Sequence, residues 1–242
     1  MTSLHQGGSR SYKPAVHLFI PREKEHRMGR THGSLNHQIK HLPFYGIMTK
    51  REALLLEICM KANEIRTYLA QLGQELTKEG VQQPMHVLLI GGAYMLLLVN
   101  APRSTDDVDI FWLEEDPTLE QTIDALREGI EAVAEKNKLE IDWFNYMTHL
   151  LLSDQVIIPG GKLWKRFGPL HIHVPPKEYI LALKILAGRE KDLGDCEILL
   201  QNMKVKTRAQ AQRVLDRYIP SPTQGINAQE IGRSLDELFG EA

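Results

Sequence analysis

Residues 86–112 read HVLLIGGAYMLLLVNAPRSTDDVDIFW, and this stretch decides the predicted fold. Its first part is a short apolar run, residues 87–90, that ends at Gly91 and Gly92. This pattern is typical of a buried strand that turns sharply into a helix, which we expect to begin near Ala93. Glycine lacks a β-carbon, so a phosphate can approach its backbone, and the first N–H groups of a helix favour an anion. The stretch therefore predicts an anion-binding turn.

The second part of the same stretch predicts a strand that carries two acids on one face. Asp107 and Asp109 alternate with apolar residues, so both carboxylates share a face while the apolar set faces the core. Carboxylate oxygens suit Mg²⁺ or Mn²⁺ bridging to phosphates. Arg103 and Thr105 precede the acids and supply a guanidinium and a hydroxyl for phosphate oxygens. Each motif alone is typical of an ordinary turn or strand end, but together they indicate a site for a metal-bound nucleoside triphosphate.

A second segment places a lysine inside an apolar helix. Residues 179–187 read YILALKILA, which is apolar on nearly every side, with Lys184 in the middle. A lysine is rarely buried unless it is paired, because an unpaired ammonium loses too much hydration. Asp192 and Asp195 lie three apart on a predicted continuation of the helix, where they could meet this lysine or a metal ion. The alternative is an ion pair that only ties two helices together, since such pairs imitate active sites.

These motifs resemble the signature of the nucleotidyltransferase superfamily that includes DNA polymerase beta. The resemblance rests on Gly91-Gly92 followed by residues 103–109, RSTDDVD, and on the lysine, the arginine and the KDLGD run within residues 184–195. The sequence is most similar to the AbiEii and MenT toxin-type nucleotidyltransferases and to related uncharacterised domains. The similarity covers residues 85–200.

The resemblance implies metal-dependent transfer of a nucleoside monophosphate from a nucleoside triphosphate to an acceptor, with Mg²⁺ or Mn²⁺ as the cofactor. The catalytic residues of the family correspond here to Asp107, Asp109, Lys184 and Asp192. The metal ligands among them are Asp107 and Asp109. The nucleotide-binding residues correspond to Gly91, Gly92, Arg103, Thr105 and Lys184.

Two further acids are candidates for the same site. Asp195 follows Asp192 in the downstream motif. Asp142, within LEIDWFN at residues 139–145, is the candidate for the third metal-binding carboxylate that many members of the superfamily carry on a later strand. The alternative is that Asp142 lies in a loop and binds no metal, because the DWFN string resembles a turn of the uncharacterised relatives.

The resemblance favours RNA, above all transfer RNA, as the acceptor, with a protein or a small molecule as alternatives. It also predicts the toxin of a toxin–antitoxin pair, with a cognate antitoxin as its partner. Two alternatives come from other functional classes: a catalytically inactive nucleotide- or RNA-binding protein of the same fold, and an oligomeric interaction protein. The presence of every expected acid together with Lys184 favours an enzyme.

Composition and charge predict three regions. The 242 residues are 43% hydrophobic and 25% charged, which suits one substantial core. We expect a basic, histidine-rich arm over residues 1–46, a catalytic domain over 47–205 and a helical extension over 206–242. Residues 1–50 hold eight Lys and Arg against two Glu, and six of the ten histidines. This charge favours contacts of the arm within a homo-oligomer, with nucleic acid as the alternative.

The predicted fold class is α/β (α+β), the nucleotidyltransferase fold, with a small mixed sheet flanked by helices and helical additions at both ends. Helical periodicity predicts helices over residues 50–74, 117–138, 207–218 and 227–239. Residues 156–176 predict a hairpin. The sequence opens with no signal peptide and has no apolar run near the length of about 20 residues that a membrane span needs, so we expect a cytoplasmic protein without membrane contacts.

Overall fold

A computed structural model describes residues 59–113 and 119–240, and its architecture is mixed α/β. The predicted class, a small mixed sheet flanked by helices, is confirmed. The predicted arm, residues 1–46, lies outside the described residues. None of the described helices is both long and apolar enough to cross a bilayer.

A five-stranded sheet forms the centre of the described chain. Its strands are β1 (Met85–Leu89), β2 (Val108–Trp112), β3 (Phe144–Asn145), β4 (Lys162–Phe167) and β5 (Leu170–Val174). They lie in the order β3-β2-β1-β5-β4. Strand β1 is antiparallel to β2 and parallel to β5, β2 is parallel to β3, and β4 is antiparallel to β5. The central strands β1 and β2 are therefore the two that carry the predicted turn and the predicted acids.

Helices flank the sheet and extend the chain beyond it. They are α1 (Ala62–Lys78), α2 (Gly91–Tyr94), α3 (Leu119–Asn137), α4 (Met147–Leu152), α5 (Lys177–Ala187), α6 (Leu193–Met203), α7 (Arg208–Tyr218), α8 (Ser221–Ile226) and α9 (Ala228–Phe239). A π-helical segment, Met95–Val99, continues α2, and a 3-10 turn, Glu190–Asp192, precedes α6. The two predicted C-terminal helices correspond to α7 and α9.

The core lies on both faces of the sheet. Val108 and Ile110 are fully buried on the predicted apolar face of β2. Phe111 is also fully buried, although it shares the other face with Asp109, because the ring of Tyr179 from α5 lies 6.5 Å away. Alternation along β2 indicated only one buried face, whereas α5 covers part of the acidic face as well. The acids therefore lie at the edge of a packed region.

Four local predictions need correction. The predicted helix 50–74 is not continuous, because residue 60 pairs with the loop before β2 and α1 begins only at Ala62. The hairpin predicted over residues 156–176 comprises only residues 162–174 and turns at Gly168, whose φ of 56° suits glycine. Asp142, which was expected on a strand, lies in a turn before β3. The continuous helix through residue 195 is interrupted at Gly188, which has a φ of 60°. The chain reverses there into the 3-10 turn, so Asp192 and Asp195 reach Lys184 from a separate helix.

Candidate functional site

The glycine turn lies directly against the acid-bearing strand. Helix α2 begins at Gly91, two residues earlier than predicted, and Gly91 has a φ of 67°. A β-carbon on Gly91 would lie 2.4 Å from Oδ2 of Asp109, and one on Gly92 would lie 2.4 Å from the hydroxyl of Thr105. At such distances the neighbouring side chain would have to shift, so glycine at both positions lets the turn and the strand approach this closely. The two halves of residues 86–112 thus form one site.

Asp109 is held by two residues that the sequence did not single out. Its Oδ1 accepts hydrogen bonds from the Asn145 amide and from the Thr148 hydroxyl, both at 2.8 Å. Asn145 lies beside Asp109 because β3 pairs in parallel register with β2. With Oδ1 occupied by both donors, Oδ2 is the oxygen that faces the Gly91 turn.

Asn145, and not Asp142, occupies the position beside Asp109 where a third carboxylate was expected. Asp142 is exposed in the turn that precedes β3, whereas the residue paired with Asp109 is Asn145. An amide donates a hydrogen bond to the neighbouring acid, whereas a carboxylate there would add negative charge. The only signal for Asn145 in the sequence was its place in the DWFN string, which indicated a loop.

Helix α4 is fixed to the end of β2 by His149. The backbone N–H of Trp112 donates to Nδ1 of His149 at 3.2 Å, and the His149 ring packs edge-on against Phe111. Burial lowers the pKa of His149, although Asp154 opposes this effect. A neutral imidazole that accepts at Nδ1 carries its proton on Nε2. This contact holds the helix that delivers Thr148 to Asp109.

Asp107 carries negative charge that its surroundings do not neutralise. Burial, followed by the charges of Asp109 and Asp106, raises the pKa of Asp107 to about 6, against a weaker lowering effect of Thr105 and Arg189. The Thr105 hydroxyl lies 3.4 Å from Oδ1 of Asp107. Within the described ranges, no Lys or Arg forms an ion pair with Asp107 or Asp109. The acid pair is therefore a place where a bound cation would be stabilised.

Lys184 is buried and fully paired. It is 4% exposed, and its Nζ lies 2.7 Å from Oδ1 of Asp192 and 2.8 Å from Oδ2 of Asp195. Two arginines extend the network: Arg103 bonds to Asp195, and Arg189 bonds to Oδ2 of Asp192 at 2.7 Å. Three cations thus surround two buried carboxylates.

The ion network joins the two sequence motifs. Arg103 precedes β2, and its partner Asp195 lies 92 residues later on α6. The Nη2 atom of Arg103 would lie 3.6 Å from a β-carbon on Gly92, so this guanidinium spans from the glycine turn to α6. The predicted site residues that the structure brings together are Gly91, Gly92, Arg103, Thr105, Asp107, Asp109, Lys184, Asp192 and Asp195.

The contacts of Asp192 favour an orienting role. It is 1% exposed, and each of its oxygens already has a cationic partner, Lys184 on Oδ1 and Arg189 on Oδ2. Burial raises the pKa of Asp192, but these two cations outweigh burial and hold the pKa below its usual value. A carboxylate that is saturated and weakly basic is poorly suited to bind a metal or accept a proton. The arrangement suits fixing Lys184 and Arg189 in place.

The acid pair fits a hard divalent cation. In residues 59–113 and 119–240, no three His, Cys, Asp or Glu side chains are grouped so as to hold a metal ion. Asp107 and Asp109 offer two carboxylates, and Mg²⁺ is commonly bound through one or two carboxylates with water and substrate phosphates completing its shell. The excess negative charge around Asp107 agrees with that donor set.

Comparison of the chain with protein-family models, with curated proteins and with solved structures finds no match.

Proposed function

We propose that this protein is a metal-dependent nucleotidyltransferase that moves a nucleoside monophosphate from a nucleoside triphosphate to an acceptor. The observation that carries the proposal is the uncompensated pair Asp107 and Asp109 at the Gly91–Gly92 turn, beside the partly exposed guanidinium of Arg103. A metal ion bound with the triphosphate would offset the negative charge of this acid pair, and the phosphate oxygens would lie near an arginine. The nucleotidyltransferase fold and the kinship with toxin-type members belong to the same proposal.

In this proposal, Arg103 contacts the triphosphate directly, whereas Lys184 positions Arg103. Arg103 has a side chain that is 28% exposed and lies beside Gly92, so it is placed to bind the phosphate tail. Lys184 is buried and paired with two carboxylates. We therefore assign it a positioning role: it holds Asp195, and Asp195 holds Arg103. This assignment changes the predicted role of Lys184 from contact with phosphate to positioning.

Asp107 and Asp109 would hold Mg²⁺ or Mn²⁺. When bound, the ion would neutralise charge on the phosphates and stabilise the attacking and leaving oxygens. Asn145 and Thr148 fix Oδ1 of Asp109, so the carboxylate plane is set before any ligand arrives. The acceptor hydroxyl would release its proton to water and form a new P–O bond to the α-phosphorus, while the bond to pyrophosphate breaks.

The proposed acceptor is RNA, with transfer RNA favoured by the resemblance to toxin-type enzymes, and a cognate antitoxin is the proposed partner. Strand β4 offers little support as a base-stacking surface. Arg66 covers the ring of Trp164 at 6.0 Å, and Lys165 lies over Phe167 at 5.2 Å. Both rings are thus in contact with cations of the protein itself, so we expect the acceptor to bind at a surface other than β4.

The test is incubation of the purified protein with Mg²⁺, each α-labelled triphosphate and total RNA, followed by separation of labelled RNA, labelled protein and free nucleotide. We expect Asp107→Asn and Asp109→Asn to reduce transfer by about a hundredfold or more, since they remove electrostatic stabilisation at the reacting phosphate. Asp106→Asn is the matched control, because Asp106 is exposed and adjacent to the pair. Full transfer by either acid variant would exclude the assigned metal site.

Thr148 provides a finer test of the same site. Thr148→Val keeps the shape of the side chain but removes the hydrogen bond to Asp109, whereas Thr148→Ser keeps the hydroxyl. We expect about tenfold slower transfer for the valine variant and near-normal transfer for the serine variant. Equal rates for the two would show that the hydroxyl does not position Asp109.

Two other results would point to the alternative classes. Stabilisation of the fold by a triphosphate with Mg²⁺, without any transfer, would indicate a nucleotide-binding protein that has no catalytic activity. The absence of stabilisation by any triphosphate would indicate an interaction protein. A thermal shift measurement with each triphosphate distinguishes these outcomes.

A further inference from the structure

A cavity of about 470 Å³ lies where the end of α5 and the 3-10 turn meet α9. Four charged residues line it: Arg189 and Glu190 at the 3-10 turn, and Arg233 and Glu237 on α9. Its volume falls within the range of about 300–1,000 Å³ that is usual for small-molecule sites. None of the roles assigned above uses this cavity.

Arg189 connects the cavity with the acid pair. Its Nε bonds to Asp192, and its positive charge lowers the pKa of Asp107, yet its side chain remains 54% exposed. The guanidinium is thus fixed on one side by a buried acid and open to the cavity on the other. Arg189 is therefore a residue of the cavity whose charge also acts on the proposed metal site.

A second guanidinium lines the same cavity. Arg233 projects from α9 and donates a hydrogen bond to the carbonyl oxygen of Gly188, where α5 ends. Gly188 has no room for a side chain, since a β-carbon there would lie 2.7 Å from Cβ of Glu230. The close approach of α9 to this glycine therefore places Arg233 in the lining.

The lining combines groups that suit the different parts of a nucleotide. Arg189 and Arg233 can bind phosphate oxygens, and a guanidinium plane can also stack on a base. Glu190 and Glu237 can accept hydrogen bonds from ribose hydroxyls or base amino groups. The same two carboxylates oppose a bare anion, because their formal charge cancels that of the two arginines. The mixed lining favours a phosphorylated nucleoside over inorganic phosphate.

We propose that this cavity binds a nucleotide unit, with its phosphate against Arg189 and Arg233 and its sugar or base against Glu190 and Glu237. The use of the cavity in transfer depends on the proposed function, but binding can be measured without it. The nucleotide unit would belong either to the donor triphosphate or to the end of the acceptor.

Calorimetric titration of the full chain with each nucleoside monophosphate, with each triphosphate plus Mg²⁺, and with inorganic phosphate tests the proposal. We expect Arg233→Gln and Glu237→Gln each to weaken binding of the preferred monophosphate about tenfold, as the loss of one hydrogen bond to a charged group predicts. Arg213→Gln is the matched control, because Arg213 is exposed on α7 and does not line the cavity. If Arg233→Gln disturbs the fold, the monophosphate affinity of Glu237→Gln still tests the proposal.

The results separate the two sources of the nucleotide. If the variants also weaken triphosphate binding, the cavity holds the donor nucleoside. If triphosphate binding is unchanged while monophosphate binding weakens, the cavity holds the acceptor end. Either result supports the proposal.

Three results would overturn it: no monophosphate binding, equal binding by Arg233→Gln and Arg213→Gln, or inorganic phosphate binding as tightly as a monophosphate. Failure of the cavity is distinguishable from failure of the proposed function. If the unaltered protein transfers no label from any triphosphate while Arg233→Gln still weakens monophosphate binding, the nucleotidyltransferase assignment fails and the nucleotide cavity remains.

Discussion

Asp107 is expected to destabilise the fold, and Asp107→Asn should therefore increase the free energy of unfolding at neutral pH. Burial and two neighbouring acids raise the pKa of this carboxyl from 3.8 to about 6. Between these pH values the folded state holds a proton that the unfolded state has released. Stability therefore falls as the pH rises through this window, and the loss persists above pH 6.

The size of the effect follows from the same interval. Each pKa unit corresponds to about 1.4 kcal/mol, so the difference between 3.8 and about 6 sets an upper limit of about 3 kcal/mol. Solvent screening at this half-buried group reduces the effect, so we expect a gain of about 1 to 3 kcal/mol at pH 8. The amide also retains an oxygen that can accept from Thr105.

Urea unfolding at pH 8 and at pH 4 measures the effect directly. We expect Asp107→Asn to be more stable than the natural sequence at pH 8, with the gain nearly absent at pH 4, where the acid is protonated in the folded state. Asp106→Asn removes one charge from an exposed neighbour and should change stability by about 0.5 kcal/mol or less. A variant of Asp107 that is less stable at pH 8, or equally shifted at both pH values, would refute the reasoning.

Two further predictions concern the packing around the site. Lys184→Met leaves the buried Asp192 without one of its cations, so we expect the free energy of unfolding, measured in urea, to fall by about 2 to 3 kcal/mol. This is less than the full cost of breaking a buried ion pair, because Arg189 and Arg103 remain in the network. Unchanged stability would contradict the buried ion network. Gly92→Ala places a β-carbon 2.4 Å from the Thr105 hydroxyl and should cost about 1 to 3 kcal/mol, whereas Gly194→Ala has open space and should cost nothing. Equal stability of the two alanine variants would show that the turn does not approach the Thr105 loop.

Local patterns predicted the parts of the site that depend on neighbouring residues in sequence. The apolar run before Gly91 became β1, and the alternation around Asp109 became β2. The apolar surroundings of Lys184 correctly predicted a buried lysine with acidic partners, one of them only eight residues away. Period and hydrophobicity suffice for such predictions because each reports on one helix or strand.

Other features depended on which segments meet. Asn145 and Thr148 contact Asp109 across 36 and 39 residues, and no local pattern in the sequence indicates that pairing. The sequence also did not predict that the helix ends at Gly188. A glycine within an apolar pattern does not show by itself whether it adopts the left-handed conformation that ends a helix.

The sequence by itself determined which residues could form an anion-binding turn, an acid pair and a buried ion pair, because spacing along one element sets the face on which each side chain lies. Only the tertiary structure decided that these features form one site. It paired Arg103 with Asp195 across 92 residues and let the charge of Arg189 act on Asp107, and among the described residues it left the acid pair without a Lys or Arg in an ion pair. These contacts depend on long-range packing, whose geometry emerges only when the sheet and helices assemble.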